Sequence, residues 1–138
     1  MPALFPYLPA STALHESFLM PWLPIDLWLR DCGSLSTQGL LDSGSTVNVM
    51  PYDLGIRLGA VWEAQTTRVV LTGNLAAEDA RALLIHARVG DFPAVRLVFA
   101  WTHSENIPLL LGQVNFFQEF DVCLYGSRLQ FVIDPARK

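Results

Sequence analysis

The sequence has little charge, and it lacks the basic excess that proteins use to bind polyanions. Only 16% of its 138 residues are charged, and 9 Lys and Arg stand against 13 Asp and Glu, for a net charge of −4. Soluble domains carry about 25% charged residues. Neither nucleic acid nor an anionic membrane surface is therefore expected as a partner. With 51% apolar residues, some surface is expected to be hidden in an oligomer.

Cysteines and metal-binding patterns are also scarce. Cys32 and Cys123 are too few for the disulfide framework of a small secreted domain. The three histidines do not have the spacing of a metal site, so no metal is expected. The most apolar stretch, residues 1–29, contains five prolines and does not have the pattern of a signal peptide or a membrane span. These absences predict a soluble, cytoplasmic protein.

The length suits one domain with a single core, preceded by an arm. Residues 1–23 are rich in proline and contain no glycine, which predicts an extended N-terminal arm. Residues 24–138 are predicted to form the domain. Alternation of apolar and polar residues from Ile25 onward is typical of a half-buried strand.

Further strands are predicted along the domain, with few helices. Apolar or β-branched runs at 66–71 and 95–101 have the length and composition of strands. Two last strands, 121–125 and 129–133, are spaced as a β-hairpin. Residues 51–58 begin with proline and are followed by Gly59, which predicts a short helix. The domain is therefore expected to be mostly β.

Two segments are harder to assign. The composition of 76–88 favours a helix by intrinsic propensity, with one arm of a hairpin as the alternative. Residues 112–120 are expected to form a helix that buries Val114, Phe117 and Phe120.

The segment from Leu40 to Ser45 is the best candidate for chemistry. It places the carboxylate of Asp42 in a tight polar turn directly after two aliphatic residues. Burial raises the pKa of a carboxyl group and hydrogen-bond donors lower it, so such a group is tuned by its surroundings. The simpler interpretation is a turn in which the Asp side chain bonds the backbone two residues further on.

Two motifs together resemble the signatures of the retropepsin-like aspartic proteases. The first is Leu40-Leu41-Asp42-Ser43-Gly44, and about 65 residues later the second appears as Leu110-Leu111-Gly112, continuing to Val122. The second run is most similar to that of bacterial single-domain members, and the resemblance covers about residues 24–133. It implies a single-lobed acid-protease fold, a closed β-barrel with one or two short helices.

The resemblance also implies an activity, that of an aspartic endopeptidase. Two carboxylates share one proton in such enzymes, and together they activate a water against a peptide bond. The nearest second motif, at residues 31–34, lacks both the hydroxyl after its Asp and the preceding aliphatic pair. A single motif implies a homodimer in which Asp42 of each subunit meets on the two-fold axis. The implied substrate is an extended peptide or unfolded protein, and no metal or organic cofactor is implied.

Neighbouring residues take roles from the same resemblance. Ser43 would bond across the dyad to the partner subunit, Gly44 would allow close approach of the two loops, and Ser45 would bond the outer oxygen of Asp42. Leu110, Leu111 and Gly112 would support the loop from beneath. A flap that closes over the substrate is assigned to a hairpin at 71–79, with Leu71, Thr72, Gly73 and Asn74 leading to its tip.

Two other interpretations remain open. One is a non-catalytic dimerisation or peptide-binding module with the same fold, because a fold does not establish an activity. The other is a plain β domain in which Asp42 only closes a turn, and this predicts a monomer.

Overall fold

Strands make up most of the regular structure. A computed structural model describes residues 1–9, 18–30 and 33–137. Two short helices occur in these residues, α1 (Tyr52–Arg57) and α2 (Phe116–Glu119). The strands, in chain order, are β1 (Ala3–Pro6), β2 (Leu8–Pro9), β3 (Leu19–Met20), β4 (Trp22–Trp28), β5 (Leu35–Leu41), β6 (Asn48–Met50), β7 (Ala80–Arg88), β8 (Val95–Thr102), β9 (Leu110–Leu111), β10 (Phe120–Tyr125) and β11 (Gln130–Pro135).

Six of the strands close into a barrel in the order β4-β5-β9-β6-β8-β7. Most neighbours are antiparallel, but β5 pairs with β9 in parallel, and so does β6 with β8. Alternate residues point inward because successive side chains of a strand face opposite sides of a sheet. In β4 these are Leu23, Ile25 and Leu27, all buried. The expected mostly β fold, a closed barrel with one or two short helices, is confirmed, and two short helices are present in the described residues.

The two ends of the chain meet in a second sheet, ordered β1-β11-β10. The ring of Phe5 stacks on that of Phe131, with 5.4 Å between their centroids. Phe116, Phe120 and Phe131 are buried in the same cluster as the barrel interior. One core therefore joins the barrel to the terminal sheet. The first barrel strand already begins at Trp22, and residues 10–17 of the expected arm lie outside the described residues, as do Asp31 and Cys32.

Several sequence-based predictions of local structure are confirmed. The helix expected over 51–58 is α1, and Gly59 follows it with a φ of 93°. The final hairpin consists of β10 and β11, which pair in antiparallel fashion around a 3-10 turn at Gly126–Arg128. The run at 95–101 forms β8.

The helix favoured over 76–88 is wrong, and the alternative, one arm of a hairpin, is confirmed. Residues 80–88 form β7, which pairs along its length with β8. Leu83, Ile85 and Ala87 alternate into the core. Burying every second side chain in the core, with β7 paired to β8, outweighs the modest helical preference of Ala, Leu, Glu and Arg.

Two other expectations need correction. Residues 66–71 form no regular strand; they contact β7 through one isolated bridge, Arg68 to Arg81, and two flanking backbone hydrogen bonds. The helix expected over 112–120 is limited to the four residues of α2. Val114 is exposed because it lies before that turn, and Phe116 and Phe120 fill the core.

The two helices have six and four residues, and no helix in the described part of the chain is long and apolar enough to cross a membrane.

Replacing Gly55 by alanine is expected to destabilise the protein. In a helix interior alanine is favoured over glycine by about 1 kcal/mol. A Cβ at this position of α1 would, however, overlap the indole of Trp101, which is fully buried and donates its N–H to the Tyr52 carbonyl oxygen at 3.0 Å. Overpacking costs about 1–3 kcal/mol. Urea denaturation should therefore give a lower free energy of unfolding for Gly55→Ala.

The matched control is Gly126→Ala. A Cβ there meets only the Tyr7 hydroxyl, at 4.0 Å, so stability should stay within about 0.5 kcal/mol of wild type. An unfolding midpoint for Gly55→Ala at or above that of wild type would contradict this packing.

Candidate active site

Asp42 lies immediately after β5, in a turn held by backbone hydrogen bonds. Its N–H donates to the Leu111 carbonyl oxygen at 3.0 Å, and its own carbonyl oxygen accepts from the Ser45 N–H at 3.1 Å. The Gly44 N–H donates to the Asp42 carboxylate oxygen Oδ1 at 3.0 Å. The carboxylate is half-buried. The turn therefore fixes this carboxylate while leaving it accessible.

The residues after Asp42 differ in what they contact. Ser43 is exposed, and its carbonyl oxygen accepts from the Gln113 side chain at 2.8 Å. A Cβ on Gly44 would lie 3.3 Å from Asp42 Oδ1, which is tight. The Ser45 hydroxyl donates to the Val47 carbonyl oxygen at 2.7 Å. The expected bond from Ser45 to the outer oxygen of Asp42 is thus wrong in this chain, because the hydroxyl is already used within the loop.

Leu110, Leu111 and Gly112 lie beneath the loop. Leu110 and Leu111 pair in parallel with the two residues before Asp42. Gly112 is buried, and a Cβ there would overlap the Val47 carbonyl oxygen and come within 2.7 Å of the Ser45 carbonyl oxygen. Because both are backbone atoms, the loop would have to move to accommodate any side chain. Glycine at this position allows the two segments to touch.

A pair of amide side chains, not anticipated from the sequence, ties the loop to the barrel. Asn48 is fully buried. Its side-chain oxygen accepts from the Gly112 N–H at 2.8 Å, and its amide nitrogen donates to Asn115 Oδ1 and to the Val98 carbonyl oxygen. Asn115 in turn accepts from the Val98 N–H and donates to the Arg96 carbonyl oxygen. The one hint in the sequence is an amide inside the apolar run 47–50.

A cavity of about 440 Å³ opens in front of Asp42. Leu71, Thr72, Gly73 and Asn74, the residues assigned to the flap, line it together with the turn. They do not form the expected hairpin. Residues 73–75 make a 3-10 turn, and within 72–78 backbone groups bond three residues apart instead of across a strand pair. Gly73 has a φ of 64°, whereas Asn74 does not adopt a positive φ.

The walls of this cavity are mostly uncharged. Among the described residues that line it, Asp42 alone is ionisable. The apolar side chains are Val47, Val49, Leu71, Leu75, Ile107, Pro108 and Leu110. Within the described chain no group of three His, Cys, Asp or Glu residues is arranged to hold a metal ion. The arrangement offers one accessible carboxylate at the side of an apolar cleft.

No family model matches the sequence, and neither does any curated protein. Among solved structures, the chain is similar to the crystal structure of a retropepsin-like aspartic protease from Rickettsia conorii. The TM-score is 0.61, at 12% sequence identity, over 96% of this chain and 92% of the other. The fold is retropepsin-like. The resemblance stated from the two motifs is therefore confirmed at the level of the fold, which by itself does not establish an activity.

Replacing Asn48 by alanine is expected to cost about 2–3 kcal/mol of stability, since the buried Gly112 N–H would lose its acceptor. Because Asn48 and Asn115 bond each other at 3.2 Å, the two alanine variants should not be additive. A double-mutant cycle by urea denaturation should give a coupling of about 1 kcal/mol.

Gln113→Ala serves as the control. This exposed amide also bonds the loop, at Ser43, and its loss should cost less than about 1 kcal/mol. Additive effects of the Asn48 and Asn115 variants would argue against a shared network.

Proposed function

We propose that the protein is an aspartic endopeptidase that acts as a homodimer, with Asp42 of each subunit forming the catalytic dyad. The observation that carries the proposal is the position of Asp42 in a retropepsin-like fold. Its carboxylate is accessible on a turn fixed between β5 and β9, and it borders an apolar cleft.

The chemistry follows from two like charges in close proximity. Two adjacent carboxylates cannot both ionise, so the dyad retains one proton, and its titration belongs to the pair. The ionised carboxylate accepts a proton from a water, which attacks the peptide carbonyl carbon. The protonated carboxyl hydrogen-bonds the carbonyl oxygen as charge develops there. The exposed Ser43 hydroxyl is suited to bond across to the partner's loop.

The cleft suits an extended peptide. Residues 71–75 lie over the same cavity as Asp42, so they are the segment that we assign to covering the substrate and excluding water. Side chains of the peptide on either side of the cleaved bond would contact the apolar wall. Backbone hydrogen bonds to an extended peptide would supply affinity without strict sequence selection.

The terminal sheet is the surface that we assign to the dimer. Among the described strands, β1 and β10 are its outer members, and outer strands offer unpaired backbone groups to a second chain. Leu4 and Leu124, on these two strands, are large apolar side chains that remain exposed. Contact between two such sheets would hide apolar surface that this weakly charged chain otherwise leaves in water.

Replacing Asp42 by asparagine should abolish proteolysis. Asparagine has nearly the same shape but does not accept the proton from water, so cleavage of unfolded casein should fall by about 10²- to 10⁴-fold. Rates should be measured across acidic and neutral pH. Asp53→Asn, an exposed carboxylate on α1, is the matched control and should cleave at the wild-type rate. Undiminished cleavage by Asp42→Asn would rule out the proposed mechanism.

Mixing subunits tests whether the site is shared between two chains. If each dimer needs two intact Asp42 carboxylates, an excess of the Asp42→Asn chain should inhibit the wild-type protein by forming inactive mixed dimers. Light scattering should give twice the 15.3-kDa chain mass under the same conditions. A monomeric mass, or activity unaffected by the added variant, would contradict the shared site.

A further inference from the structure

A second cavity, of about 320 Å³, opens on the outer surface of the barrel. It lies near the start of β5, whereas Asp42 follows the end of that strand. Seven residues of extended chain separate the two regions by roughly 20 Å. The residues that line this outer cavity are Asp26, Trp28, Arg30, Gly33, Ser34 and Arg88. The outer cavity is thus distinct from the cleft beside Asp42.

Two cations at the outer cavity form no ion pair within the described part of the chain. Arg30 and Arg88 are exposed, and no carboxylate of the described residues forms an ion pair with either. Asp26 faces Arg88 across the β4–β7 pair, but its Oδ1 accepts a hydrogen bond from the Ser36 hydroxyl at 2.7 Å. That hydrogen bond leaves the formal charge of Asp26 in place, so two guanidinium groups and one carboxylate give the described lining of the outer cavity an excess of one positive charge. In a chain with a net charge of −4, this is a local positive region that attracts anions.

The floor of the outer cavity contains an ordered aromatic ring. Trp28 is half-buried on the outer face of β4 and lies directly opposite His86. The two rings stack, with centroids 5.7 Å apart and planes 14° apart. The guanidinium carbon of Arg88 lies 5.6 Å from the centroid of Trp28. The indole of Trp28 is thus in contact with both His86 and Arg88.

The combination of exposed guanidinium groups and a flat apolar ring defines the chemistry of a ligand. Guanidinium groups form strong paired hydrogen bonds with carboxylates. An indole surface adds contact area for an apolar side chain. An acidic peptide that also carries an apolar residue satisfies both.

We propose that the outer cavity binds an acidic segment of a polypeptide substrate. Its carboxylates pair with Arg30 and Arg88, and a neighbouring apolar side chain lies on Trp28. That the polypeptide is a substrate rests on the proposed function. A span of roughly 20 Å requires at least about six extended residues, so the acidic segment lies at least that far from the cleaved bond.

Tryptophan fluorescence can test this binding directly. Trp22, Trp62 and Trp101 are buried, so a ligand at the outer cavity should change mainly the emission of Trp28. The probe is a capped octapeptide of alternating glutamate and leucine, titrated into the Asp42→Asn protein so that cleavage does not interfere. We expect saturable binding that weakens as salt is added.

Variants and competing ligands make the test specific. Arg88→Gln should weaken binding about tenfold through loss of a charge-assisted pair, and Arg30→Gln should do so independently if Arg88→Gln fails to fold. Arg57→Gln, an exposed arginine on α1, should bind as tightly as the parent. Absence of a fluorescence change at millimolar peptide, equal binding of a lysine–leucine octapeptide, cavity variants that bind as tightly as the parent, or binding of inorganic phosphate in place of the peptide would each overturn the proposal.

The binding assay and the cleavage assay fail independently. Peptide binding that persists when wild type cleaves nothing would refute the proposed activity but keep the outer cavity as an acidic-peptide site. Casein cleavage that depends on Asp42, without any octapeptide binding, would refute the outer site alone.

Discussion

The hydrogen bond from the Gly112 N–H to the side chain of Asn48 is the contact on which the arrangement of the site depends. It is 2.8 Å long and fully buried, and a buried polar group left without a partner is costly. The bond requires the second motif to lie directly against the strand that leaves the Asp42 turn. Only glycine permits this distance, since any Cβ at residue 112 would overlap backbone oxygens of the loop.

The remaining features of the site follow from that contact. With Gly112 in place, the Gln113 and Val114 N–H groups reach the carbonyl oxygens of Ser45 and Thr46, each at 2.9 Å. The Asp42 turn is thereby bonded to the second motif on both sides. A carboxylate fixed in this way would lose little further freedom on binding the proposed substrate, and catalysis by positioning depends on that condition.

The sequence predicts the parts of the fold that short-range chemistry determines. The Asp42 turn, the stop at Gly59 and the final hairpin depend on residues close together in the chain, and all three are present. The helix favoured over 76–88 is wrong because β7 is specified by its partner β8. The bond between Asn48 and Asn115 joins residues 67 positions apart, so no local pattern indicates it. The 3-10 turn at residues 73–75, found in place of the hairpin expected over 71–79, likewise depends on packing that composition does not reveal.

The low charge of the chain has a consequence for specificity. The cleft beside Asp42 would offer the proposed peptide substrate no second charge among its described lining residues, so apolar contacts and backbone hydrogen bonds would dominate there. Such contacts distinguish peptides weakly, because one methylene more or less changes binding by only about 1–3 kcal/mol. Selection among polypeptides by charge therefore has to act outside the cleft. Arg30 and Arg88, which form no ion pair with any described residue, are the cations to which we assign it, and strand β5 leads from their surface to Asp42.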